Sequence, residues 1–166
     1  MKPLRRMSWA TLPLLLASCG WYTNVPAQIH VQSIVPATVG VVVTGANSTF
    51  TNPTVTAVGE YGSIGATYTV CNVTYADQTG HAISNLSTNL AINLRVEGAT
   101  LASYPKGAPV QGTGNAVLPI VNKAVLDYYS TNKPGALTAT VGLSGTDDAH
   151  YPVSLTTNVP ISFSGQ

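Results

Sequence analysis

Between residues 90 and 97 the chain alternates: Leu90, Ile92, Leu94 and Val96 are large and apolar, with Ala91, Asn93, Arg95 and Glu97 set between them. The same period returns at Leu137, Ala139, Val141 and Leu143, against Thr138, Thr140, Gly142 and Ser144. Successive side chains of a strand point to opposite faces, so a period of two demands a sheet with one face on a core and one in water. A helix would scatter the same residues around its circumference.

The rest of the chain breaks into similar short runs. Strands are predicted at Ile29–Ile34, Thr38–Thr44, Thr54–Glu60, Ala66–Tyr75, Leu90–Glu97, Thr100–Tyr104, Ala116–Val121, Ala136–Ser144, Tyr151–Thr156 and Val159–Ser164. Turn chemistry separates them at Asp77-Gln78-Thr79-Gly80, Gly98, Lys133-Pro134-Gly135 and Gly145-Thr146-Asp147-Asp148. Pro160 falls early in the last strand, where a missing N–H is tolerated at an edge. The one helix candidate is Asn122–Tyr129, a turn or two with Asn122 as N-cap, and a strand is the alternative there. This pattern predicts an all-β fold, a single antiparallel two-sheet β-sandwich over residues 29–166. In strand pattern and Thr/Val/Asn composition it resembles immunoglobulin-like and fibronectin-like envelope domains. The Cys–Trp–Cys signature of antibody domains is absent, because no Trp follows Trp21.

The N-terminus is of another kind. Lys2, Arg5 and Arg6 precede an apolar stretch from Met7 to Leu16, too short to span a bilayer. Leu16-Ala17-Ser18-Cys19-Gly20 follows, and it resembles the lipobox of bacterial lipoproteins. An aliphatic residue stands at −3, small residues at −2 and −1, and Cys at +1. The resemblance implies a signal peptide at residues 1–18, a diacylglyceryl group on the Cys19 sulfur, and a tether over residues 19–28. Gly20 in place of Asp resembles the outer-membrane sorting pattern. The alternative is an ordinary signal peptide cut after Ala27. Trp21 and Tyr22 suit the headgroup level of a bilayer or packing on the domain or a partner. Two or three acyl chains hold a protein firmly, at about 0.8 kcal/mol per buried CH₂.

Charge narrows the function classes. Only 8% of residues are charged, about a third of the ~25% usual in globular proteins. Removing Lys2, Arg5 and Arg6 from the seven basic residues leaves four against six acidic ones. No basic cluster lies beyond Arg6, which excludes electrostatic binding of nucleic acid. With Cys19 lipidated, Cys71 is the sole remaining thiol. Its place in the alternating run Ala66–Val73 predicts a buried small hydrophobe.

Catalytic templates fit poorly. Gly142-Leu143-Ser144-Gly145-Thr146 misses a nucleophile elbow at its last position. Gly112-Thr113-Gly114-Asn115 starts like a dinucleotide loop without its third Gly. Glu60, Glu97, Asp127, Asp147 and Asp148 include no pair that the spacing joins for glycoside hydrolysis. The best metal-ligand candidates are Asp147, Asp148 and His150 on one loop, with His81 as a distant fourth. Copper–zinc superoxide dismutases are β-sandwiches too, but this chain lacks their His-x-His pair and their disulfide. The preferred reading of Asp147, Asp148 and His150 is a solvated hairpin loop whose polar residues supply turn geometry. Seven tyrosines beyond Tyr22 can stack on sugars or line an interface, with Tyr128 and Tyr129 beside Asp127 the foremost pair. The loops Gly45–Pro53 and Lys106–Asn115 are natural contact elements.

The expected function is therefore non-enzymatic: a lipid-anchored lipoprotein of the outer membrane or cell surface. It would act as a structural or accessory subunit docking on a larger outer-membrane or surface-layer protein, with no cofactor besides the lipid on Cys19. Two alternatives stand beside it. One is a metal-binding protein or superoxide-dismutase-like enzyme, the other a glycan-binding module.

Overall fold

The computed structural model describes residues 26–45, 47–99 and 110–165. The expected signal peptide, Cys19, Trp21, Tyr22 and the strand expected at Thr100–Tyr104 lie outside them. Nine strands and one helix follow in the order β1 (Ile29–Val35), β2 (Val39–Thr44), β3 (Asn47–Thr49), β4 (Thr54–Gly59), β5 (Ala66–Ala76), β6 (Thr88–Val96), β7 (Thr113–Val117), α1 (Lys123–Asn132), β8 (Ala136–Asp147) and β9 (Pro152–Gly165). They form two sheets, β1-β4-β7 and β3-β2-β9-β8-β5-β6, the larger curled into a half-barrel.

The alternation decides what each sheet buries. Leu137, Ala139, Val141 and Leu143 of β8 point inward beside Cys71, Val73 and Tyr75 of β5 and Leu94 and Val96 of β6. Val55 and Ala57 of β4 meet them from the smaller sheet. Each fully buried Val or Leu contributes roughly 1.5–3 kcal/mol, so this shared core, not any single pairing, holds the layers together. Tyr75 carries a polar group into it and donates its hydroxyl to the Ile120 carbonyl at 2.7 Å. Burial pushes that hydroxyl up to about 12. Cys71 is fully buried as expected, and burial raises its thiol as well.

Three expectations change. Pairing is not wholly antiparallel, because β2 runs parallel to β9 with Val39 opposite Ile161. The chain leaves the first sheet at Val35-Pro36 and joins the second beside its last strand. Next, the two strands expected at Tyr151–Thr156 and Val159–Ser164 are one, β9. Thr157 and Asn158 look like a break but keep the period, and Asn158 accepts from the Thr140 hydroxyl at 2.8 Å on the outer face. Finally, the strand expected at Ala116–Val121 ends at Val117. Leu118 donates to Pro53 and Pro119 has no N–H to give. The Asn52 side-chain amide then stands in for a strand by accepting from Val121 N at 2.9 Å.

The glycines of Gly112-Thr113-Gly114-Asn115 have a packing reason. A Cβ on Gly114 would strike the Arg95 carbonyl, and one on Gly112 the Glu97 carbonyl, where β7 crosses β6. At the opposite corner β1 packs beside β9. Phe163 N donates to Gly135, on the β8 side, so even-numbered residues of β9 turn their N–H groups away from β8. Pro152 and Pro160 both fall on that outward register, at the two ends of the stretch that β2 does not pair.

Two ends result. Ala27 N donates to Asp147, and Gln28 N to Ser63, at the end where β1 and β9 begin. The β2–β3 hairpin and α1 lie at the other end, a β9 length away, or roughly 45 Å at about 3.3 Å per residue. Among the described residues no helix is long and apolar enough to cross a membrane.

Candidate functional site

The far end is built around α1. Asn122 caps it as expected, its side chain accepting from Val125 N at 3.2 Å. The helix runs three residues past the expected Tyr129, to Asn132. Lys133 ends it in the left-handed conformation (φ 48°), its N–H donating to Tyr129, and Pro134 forbids another turn. Val125 is buried, and Leu126 and Tyr128 pack half-buried on the core, so α1 plugs the mouth between the sheets.

Facing α1 is the β2–β3 hairpin, which turns at Gly45 in the left-handed region (φ 59°). A cleft of about 420 Å³ lies between them. Val43, Asn47, Ser48 and Phe50 form its hairpin wall. Leu126, Asp127, Tyr129, Ser130 and Lys133 form its helix wall, one stripe at helical spacing. The Tyr129 ring stacks on Phe163 with centroids 4.7 Å apart and planes 16° apart. The Lys133 ammonium stands 5.0 Å from the centre of the Tyr129 ring. Lys123 pairs with Asp127 at 2.6 Å.

Tyr128 and Tyr129 therefore serve different surfaces. Neighbours on a helix diverge by about 100°, and here Tyr129 reaches the cleft while Tyr128 packs on the core. The residues that complete the cleft, Asn47, Ser48 and Phe50, come from the loop expected at Gly45–Pro53, where alternation is too brief to mark a strand.

The metal candidates are placed otherwise than as a ligand set. Asp147 is buried and accepts three backbone N–H groups: Ala149 and Tyr151 at 2.9 and 2.8 Å on one oxygen, Ala27 at 3.1 Å on the other. Asp148 forms a fork with Arg95, Nη2 to Oδ2 at 2.9 Å. That guanidinium holds the Asp148 carboxyl below the usual carboxylate range, and Asp148 with Glu97 raises Arg95 in turn. His150 takes a left-handed turn position (φ 66°). His81 sits beyond the other end of β5, where Thr79 Oγ1 lies 3.0 Å from its Nδ1. Beside it, hydrogen bonds from Thr79 and the His81 N–H lower Asp77. The third histidine, His30, meets Glu60 at 2.9 Å. Among the described residues no three His, Cys, Asp or Glu side chains gather as a metal-binding group.

No known protein family matches the chain, and no curated protein matches it in sequence.

Proposed function

We propose that this protein is a lipid-anchored envelope lipoprotein, acylated on Cys19, that acts without catalysis as an accessory subunit of a larger outer-membrane or surface-layer assembly. Its domain is read as an immunoglobulin-like sandwich. With β1, β4 and β7 as strands A, B and E, and β9, β8 and β5 as G, F and C, the order of each sheet follows that plan.

The outer face of the six-stranded sheet carries this reading. Across β9, β8, β5 and β6 it presents registered rows such as Asn158–Thr140–Thr74 and Thr156–Gly142–Asn72–Asn89. The Asn72 amide donates to Asn89 at 2.7 Å, so part of the row is already ordered. Among the described residues Arg95 is the one cation on this face, and the carboxylates of Asp148 and Glu97 neutralise it. Val42 and Val70 are exposed there as well. A neutral, strand-ordered surface with isolated valines favours packing against a partner over electrostatic capture of a ligand. The acidic Asp147 and Asp148, by contrast, close a turn and an ion pair.

Native mass spectrometry of envelope extracts in mild detergent tests the assembly. A fixed stoichiometry with one larger envelope protein is the expected result, and a lone species refutes the subunit role. Intact mass tests the anchor separately, since a free, unacylated N-terminus at residue 19 refutes acylation.

A further inference from the structure

From the cleft between α1 and the β2–β3 hairpin we infer a binding site for a carboxylate-bearing saccharide, a sugar acid of the uronic type. The site goes beyond the subunit role and does not require acylation of Cys19.

Charge selects the anion. Four basic residues follow Arg6: Arg95, Lys106, Lys123 and Lys133. Lys106 lies outside the described residues, Arg95 is paired with Asp148 and Glu97, and Lys123 with Asp127. Lys133 has no carboxylate partner among the described residues. Its backbone is fixed at the end of α1 and its ammonium rests by Tyr129, so the charge is held at the cleft wall. Asp127 also faces the cleft but is neutralised by Lys123, which leaves one net positive charge inside a protein whose residues beyond the lipobox are net acidic. A single ammonium suits a carboxylate monoanion. Phosphate recognition more often draws on arginine forks or several donors.

The remaining lining selects a polyol ring. Asn47 and Ser48 make no side-chain hydrogen bond to the described residues and lie within the cleft, free to meet hydroxyl groups. Phe50, 36% exposed, and Val43 offer the apolar contact that the C–H face of a sugar takes. The volume of about 420 Å³ is that of a small-ligand pocket, where a few placed polar groups among apolar walls set specificity.

The test uses a matched pair of ligands on the full-length protein, D-galacturonate and its neutral counterpart D-galactose, titrated by NMR and calorimetry. The acid is expected to bind about tenfold more tightly than the neutral sugar, the value of one charge-assisted contact. Lys133→Gln removes that difference and Lys133→Arg keeps it, while Phe50→Ala weakens both sugars together. Circular dichroism verifies that each variant is folded. Equal affinity for both sugars, no binding of the acid, or unchanged acid binding in Lys133→Gln each overturns the proposal.

Discussion

Replacing Asp147 separates a structural carboxylate from a ligand. In wild type it holds three backbone N–H groups: two close the turn from β8 to β9, and the third fastens Ala27 across 120 residues of sequence. Hydrogen bonds to a charged acceptor are each worth about 1.5–3 kcal/mol when fully buried. The Ala149 and Tyr151 amides can partly recover water, so the expected loss for Asp147→Ala is about 2–4 kcal/mol rather than the full sum. At roughly 3 °C per kcal/mol for a domain of this size, Tm falls by about 6–12 °C. Asp147→Asn keeps one carbonyl oxygen for the turn but loses the charge and an acceptor toward Ala27, so its loss is about half as large. Thermal unfolding followed by circular dichroism reads all three proteins, with and without a chelator. A change under about 2 °C for Asp147→Ala refutes the reasoning. So does a chelator that lowers the wild-type Tm but leaves the variant unmoved, because Asp147 would then be acting through a metal.

Further expectations concern the two ends and the corner. Arg95 holds the Asp148 carboxyl below its unfolded value of about 3.9, so the pair stabilises the fold above that pH and is lost as acid titrates the carboxylate. Both side chains are more than a third exposed, so the gap between wild type and Arg95→Gln in urea is under about 1 kcal/mol at neutral pH. The gap narrows as acid titrates the Asp148 carboxylate below its unfolded value, and a gap that does not change with acid contradicts the assignment. Gly114→Ala drives a Cβ into the Arg95 carbonyl and costs over about 2 kcal/mol, whereas Gly40→Ala meets nothing and gains about 0.4–1 kcal/mol; urea midpoints rank the two. Asn122→Ala removes the helix cap and costs about 1 kcal/mol by the same measurement.

Local periodicity made most of the strands legible. β6 and β8 alternate long enough that no other structure buries Leu94 or Leu143, and Asn122 announces α1 by its place before an apolar turn. Features requiring residues far apart were not legible. The parallel partnership of β2 with β9 joins Val39 to Ile161, and no local signal marks it. Asp147 shows the limit most clearly. Beside Asp148 and His150 it reads as a ligand or a turn residue, and what distinguishes it is an N–H at Ala27. Phe50 and Lys133 reach one cleft through separate elements, so neither signals the other.

The position of Ala27 and Gln28 has a mechanical consequence. β1 begins at the end where Ala27 meets Asp147 and runs toward the cleft, antiparallel to β4 through partners from Ile29–Gly59 to Val35–Thr54. A pull on the chain at Ala27, with the cleft end held, would act along β1 and across its rungs. The rungs then carry the load together, in shear, instead of parting one at a time from a frayed end. Asp147 sits first in line, and its single bond to Ala27 would bear such a pull before the ladder does. The domain thus has a soft latch in series with a stiff strand.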